Sequence, residues 1–214
     1  GYFGSRSLTA SPKSRDATDS VYVDRSSEDR RDYGLALGGP FVKDRLWFFG
    51  AYDRVENDAE YQRVESLTYT PDTVESNYVD FTDAETTDIF SAKLTLRAGP
   101  SHTLVASVFG DPTTFDYWTG AGPPSATVRH RETGGTDVVG RWEGLFGASL
   151  VAQAQYGYHD EEYTRTSPYA DLPLLRDSRR GFVQAVPGSG PGFLSSGTFR
   201  RNAWTGSSTA FLGG

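Results

Sequence analysis

Residues 32–54 place two apolar arms around one tight turn, and no other feature constrains the fold as much. The first arm carries Leu35 and Leu37 interleaved with Gly34, Ala36 and Gly38. The second carries Trp47, Phe48 and Phe49 without a break. A soluble hairpin commonly keeps one polar face toward water. Here one side calls for apolar surroundings and the other offers small residues. Repeated along the chain, this pattern predicts the wall of a transmembrane β-barrel, apolar outside and polar inside.

The repetition is present. Phe90, Ala92, Leu94 and Leu96 alternate with Ser91, Lys93, Thr95 and Arg97. Leu150, Ala152, Ala154, Tyr156 and Tyr158 alternate with Gln153, Gln155 and His159. Val138, Gly140 and Trp142 alternate with Val139, Arg141 and Glu143, and Leu104, Ala106 and Val108 repeat the theme more weakly. Each segment approaches the roughly nine to eleven tilted residues that cross a bilayer as a strand. The pattern predicts seven strands, at 30–39, 44–54, 87–98, 103–111, 135–144, 148–159 and 200–211. Residues 1–4 are expected to be the tail of an eighth.

The connections are asymmetric. Short turns at Pro40–Lys43, Ala98–His102 and Leu145–Gly147 carry Gly, Pro or both, as tight turns require. Long polar connections, at 5–29, 55–86, 112–134 and 160–199, separate the pairs. Outer-membrane barrels have this asymmetry, with short periplasmic turns and long external loops. Tyr33, Tyr52, Phe109, Tyr156 and Tyr158 sit near the long-loop ends, and Trp47 and Trp142 nearer the turns, as an interfacial girdle requires. An open sheet edge is not tolerated in hydrocarbon. The fold expected is therefore all-β: an antiparallel up-and-down meander, an arc of seven or eight strands of a larger barrel.

Composition narrows the function. The 214 residues hold no Cys, which excludes disulfides and thiolate chemistry, and no Met, which suggests a fragment or processed product. No run of 18 apolar residues encodes a membrane helix, and no signal peptide is visible. Aromatic residues are 14% of the chain, yet mean hydropathy is −0.51, which suits a barrel with a polar lumen as well as a soluble β domain. The net charge of −7 is concentrated between Asp53 and Asp88, where eleven acids face two bases. No basic stripe is present to neutralise phosphates, so nucleic-acid binding is disfavoured.

Candidate sites are few. No Gly-x-Ser-x-Gly elbow or phosphate loop is present, and no catalytic constellation is assembled, so no enzyme and no cofactor is expected. His102 is expected in a solvated turn, and His159 to Glu162 at a solvated loop entrance rather than as metal ligands. Gly134 and Gly135 read as flexible loop residues. The acidic connection offers a ligand-binding candidate made of Asp58, Glu60, Tyr61, Tyr69, Tyr78, Phe81, Asp83 and Glu85. Carboxylates there suit a cationic or Ca²⁺-bridged ligand, with aromatics for stacking or cation–π contact. The alternative is that the acids serve solubility alone. Lys93, Arg97, Arg141, Glu143, Gln153 and Gln155 are expected to face the lumen.

The stretch Tyr33–Tyr52 closely resembles the early barrel hairpin of TonB-dependent outer-membrane receptors of the Oar-like type. The residues that carry the resemblance are Gly38, Gly39 and Pro40, the apolar Phe41 and Val42, then Lys43, Asp44 and Arg45 before the aromatic run Trp47–Phe49. In that family such a sequence forms a periplasmic turn. The resemblance implies a partial outer-membrane β-barrel over residues 1–214, from a barrel of about 22 strands that encloses a plug. It further implies partners: outer-membrane lipid, a plug domain and the remaining strands, TonB through an N-terminal region, and an unidentified large substrate. The plug, the TonB-contacting segment and the closing strands have no counterpart among these residues. Two alternatives stay open: a passive porin-like channel, and a secreted β-rich adhesin or carbohydrate-binding module.

Overall fold

The computed structural model describes residues 2–9, 24–69, 74–119, 124–177, 184–185, 190–192 and 194–211. Nearly all of them are strand. The elements are β1 (Tyr2–Thr9), β2 (Asp24–Val42), β3 (Leu46–Tyr69), β4 (Val74–Arg97), β5 (His102–Gly110), β6 (Thr113–Trp118), α1 (Pro124–Thr127), β7 (Val128–Phe146), β8 (Leu150–Thr166), β9 (Arg176–Asp177), β10 (Gln184–Ala185) and β11 (Ser195–Ala210). Eight strands form one antiparallel meander in the order β1-β2-β3-β4-β5-β7-β8-β11, and β6 sits between β4 and β7. The expected all-β meander is observed. β9 and β10 form a separate two-stranded ribbon.

β5 and β6 are one strand position broken in the middle. β4 and β7 pair first with β5 and then with β6. The break falls at Pro112, which has no amide hydrogen to give the ladder. The gap is spanned by Asp88 N donating to Pro112 O at 2.9 Å and Gly135 N donating to the Asp111 carboxylate at 2.9 Å. Gly134 stands opposite with φ +132, where an added Cβ would lie 2.6 Å from Asp111 O. Gly134 and Gly135 are thus strand residues of β7 facing the break, not the flexible loop expected of them.

The three predicted tight turns lie at one end of the sheet. The first is displaced from Pro40–Lys43 to Lys43–Arg45, with Asp44 at φ +61, so that Gly39 and Pro40 pair within β2. Gly99 and Gly147 supply the positive φ of the other two. At the opposite end the strands run far beyond their predicted limits. Most of 55–86, much of 112–134 and 160–166 belong to strands rather than loops. β1 pairs along its full length with β2, so the predicted tail at 1–4 is a strand of eight residues.

Register divides the sheet into two faces, because residues directly opposite in an antiparallel pair point the same way. One row runs Leu37, Gly50, Ala92, Val108, Val138, Tyr158 and Asn202; beside it lie Leu94 with Ala106 and Trp142 with Ala154. This apolar face stays uncovered: Leu35, Leu37, Leu94, Leu104, Phe146 and Trp204 are all exposed, Trp204 to 77%. Its stripe spans Phe90–Leu96 on β4 and Val138–Phe146 on β7, about 20–26 Å at 3.3 Å per residue. Among the described residues the buried apolar side chains are few: Ala59, Trp118, Ala126 and Pro191. A water-soluble domain of this length buries a far larger core. The sheet is a single layer.

The other face is polar. Lys93, Arg97, Arg141, Glu143, Gln153 and Gln155 all belong to it, and Trp142 faces the opposite way. Trp47 and Phe109 also lie on this face, opposite Thr95 and Asp137 respectively. They therefore leave the predicted girdle, whose Tyr33, Tyr52, Tyr156, Tyr158 and Trp142 remain on the apolar side. Gly34, Ala36 and Gly38 face Asp53, Ala51 and Phe49 across the ladder. A Cβ on Gly38 would meet Phe48 O at 3.0 Å and the Phe49 ring at 3.3 Å, so the small residues make room for the aromatic arm.

Candidate functional site

The acidic segment expected as a loop is the outer half of the β3–β4 hairpin. Its strand pairing divides the predicted site. Asp58, Glu60 and Tyr78 fall on the face continuous with the apolar band, and Tyr61, Phe81, Asp83 and Glu85 on the polar face. Tyr69 closes β3 opposite Val74, and its side chain lies outside the described residues. One eight-residue site is therefore not assembled.

The acids on the first face are met by arginines from β2 and β3. Arg31 reaches Asp29 at 2.7 Å, Glu56 at 3.6 Å and Asp58 at 3.7 Å. Arg54 reaches Glu56 at 3.0 Å and Asp88 at 3.5 Å. Ser27 donates to Glu60 at 2.7 Å, and Tyr52 donates to Asp88. The Tyr33 hydroxyl, followed by Arg54 and Arg31, holds the Glu56 carboxyl below its ordinary value despite some desolvation. Asp29 chiefly holds Arg31 above its own. Glu56, Asp58 and Asp88, three of the eleven acids counted between Asp53 and Asp88, are thus engaged by arginines along and across the strands.

On the polar face, Phe81 stands edge-on to the buried Trp118 ring, 5.3 Å between centroids, and Trp118 N donates to Asp83 at 3.0 Å. Ala59, opposite Asp83 across the β3–β4 ladder, is buried as well. Phe81 and Asp83 are thus structural in this part of the sheet.

Below the hairpin the polar face carries two cavities. One, of about 150 Å³, is lined by Arg141, Gln153, Gln155, Thr205 and Ser207. Arg141 donates to Glu143 at 2.8 Å and Gln153 donates to the same carboxylate at 3.2 Å. The other, of about 320 Å³, is lined by Phe109, Asp111, Asp137, His159 and Glu161 among others. His159 Nδ1 lies 3.0 Å from Asp137 and its Nε2 3.7 Å from Glu161. His159 is therefore a paired strand residue, while Asp160 and Glu162 point to the opposite face. No group of three or more metal-ligating side chains is found among the described residues.

His102 departs from its expected turn. It opens β5, stacks on Trp142 at 5.9 Å and meets Phe146 edge-on at 5.6 Å. The three rings form an aromatic group at the turn end of the apolar band. Arg129, Arg131 and Arg165, which belong to β7 and β8, lie in segments whose sequence pattern reads as loop. The spacing of Arg129 and Arg131, two apart in a strand, was the available clue.

No family model, no curated protein and no solved structure matches this chain.

Proposed function

We propose that this chain forms part of the barrel wall of a TonB-dependent, Oar-like outer-membrane receptor that binds or takes up a large substrate at the bacterial surface. The observation that carries this reading is the single-layer sheet, whose continuous apolar face is left uncovered. Burial of apolar surface drives folding in water, and a sheet exposing this stripe on one side gains nothing there. In a bilayer the same stripe, about 20–26 Å long by strand rise, matches the roughly 25 Å apolar band of outer-membrane barrels.

Three further features support the reading. Tight turns gather at one end and long strands extend from the other. β1 and β11 end the sheet path with one neighbour each, so further strands have an edge to join. Four of the six buried side-chain N or O atoms without a hydrogen-bond partner among the described residues belong to the polar face: those of Asp53, Asn57, Arg131 and Arg165. The choice of a receptor over a passive channel rests on the resemblance over Tyr33–Tyr52.

Expression of the complete gene, followed by separation of soluble, inner-membrane and outer-membrane fractions, tests the reading. The protein is expected in the outer membrane alone. Recovery in the soluble fraction without detergent would overturn it in favour of a secreted adhesin. The acidic hairpin has its own test: titration calorimetry with Ca²⁺ and an oligocationic peptide, in which an absence of heat removes it as a capture site.

A further inference from the structure

Three arginines gather on the polar face, above the apolar band. Register sets Arg131 directly opposite Arg165 on β8 and opposite Phe115 on β6, and Arg129 opposite Tyr117. The Arg131 guanidinium lies 5.2 Å from the centroid of the Phe115 ring and 5.9 Å from that of Tyr117, and these rings stack 4.7 Å apart. The Arg165 guanidinium lies 6.0 Å from the Tyr163 ring. Arg129 is only 8% exposed; it donates to Val128 O at 3.0 Å and to Pro191 O at 2.8 Å. Arg165 donates to Ser195 Oγ at 3.3 Å.

None of these acceptors is a carboxylate. Among the described residues, no Asp or Glu forms an ion pair with any of the three arginines. Glu85, opposite Phe115, and Glu161, four residues along β8 from Arg165, share the face but do not pair with the cluster. The Nε atoms of Arg131 and Arg165 are buried without a partner.

This arrangement costs stability. Like charges directly opposite each other in a sheet repel, and a buried cation without a counter-charge is expensive. Burial chiefly lowers the pKa of Arg129 from its ordinary value; Tyr117 pulls the other way, and the charge of Arg165 adds a smaller lowering. Arginines stay protonated even so. An anion brought in from outside offsets the repulsion. The flat guanidinium fork fits carboxylate and phosphate groups in a bidentate manner, and stacking on aromatic rings fixes its plane beforehand.

We propose that Arg129, Arg131 and Arg165 form a binding site for a soluble anion carrying two or more carboxylate or phosphate groups. Phe115, Tyr117 and Tyr163 hold the guanidinium planes. The site goes beyond the receptor reading and stands on the geometry of the polar face alone.

The test is calorimetric titration of the intact protein, purified in detergent, with citrate and with pyrophosphate. At least one is expected to bind, and which one separates a carboxylate from a phosphate ligand. Joint replacement Arg131→Gln and Arg165→Gln is expected to weaken binding roughly a hundredfold. Arg141→Gln, on the same face but paired with Glu143, is expected to leave it unchanged. Joint Arg131→Lys and Arg165→Lys keeps the charge and folding context but loses the fork, with an expected loss of about tenfold. No binding by the unaltered protein, or equal binding by the Gln or the Lys pair, overturns the proposal. A soluble protein that still binds citrate through Arg131 and Arg165 would refute the receptor reading and leave this site standing.

Discussion

At the residue scale, the structure makes demands that the sequence states only indirectly. Gly144 pairs with His102, and an added Cβ would lie 2.5 Å from the Trp142 ring, 3.0 Å from His102 Nδ1 and 3.1 Å from the Phe146 ring. Gly144→Ala should therefore destabilise the sheet by about 1–3 kcal/mol through forced displacement of these rings. Gly140→Ala on the same strand, with nothing within 4 Å, should stay within about 0.5 kcal/mol. Urea unfolding of the two variants checks the contrast. His130 offers a pH test. Asp116 at 2.7 Å, with Glu132 at 3.3 Å, raises its pKa from the ordinary 6.5 against partial desolvation. A raised folded pKa gives stability that is full below the unfolded value and lost as pH climbs through the folded one. The stability difference between the unaltered protein and His130→Gln should be largest below about pH 6.5 and fade at higher pH. A difference independent of pH would contradict the pairing. None of this was legible in the sequence, because the leading partners of His102 and His130, Trp142 and Asp116, lie on other strands at least 14 residues away.

At the element scale, the apolar half of each strand was legible and the polar half was not. Alternation marks a strand only where one face meets an apolar environment. Above the band both faces are polar, so the period vanishes while the ladder continues. β3 and β4 show what replaces it: cross-strand Arg and carboxylate pairs on one face, with β-branched and aromatic residues such as Thr82, Thr86, Val79 and Phe81 along the chain. Such residues favour strands and were the unused clue. The same blindness split the predicted ligand site, since a segment read as a loop has no faces. The faces themselves make a prediction. Leu94 belongs to the apolar stripe and Thr95 to the polar side. In lipid vesicles, Leu94→Arg should cost about 2–4 kcal/mol, as charge does at the midplane. Thr95→Arg should cost no more than about 1 kcal/mol, as polar-face substitutions do. Equal effects in a chemical-denaturation series would mean that neither face meets hydrocarbon.

At the scale of the whole molecule, the fold class followed from the recurrence of one hairpin pattern, and the order of strands followed from the short turns between them. The broken strand at Pro112 and the extent of the sheet beyond the apolar band depended on long-range pairing that no local window contains. What unifies the chain is its single layer: one face is apolar and uncovered, the other polar with partly unsatisfied groups, and both edges are free to be joined. These properties conflict in water and suit the proposed place in the wall of a membrane barrel. The most direct measurement is the electrophoretic migration of the protein, extracted from outer membranes in detergent, before and after boiling. A closed barrel resists unfolding by the detergent, so the account predicts a shifted band that moves to its full-mass position only on heating. Identical migration before and after boiling, from a protein soluble without detergent, would contradict it.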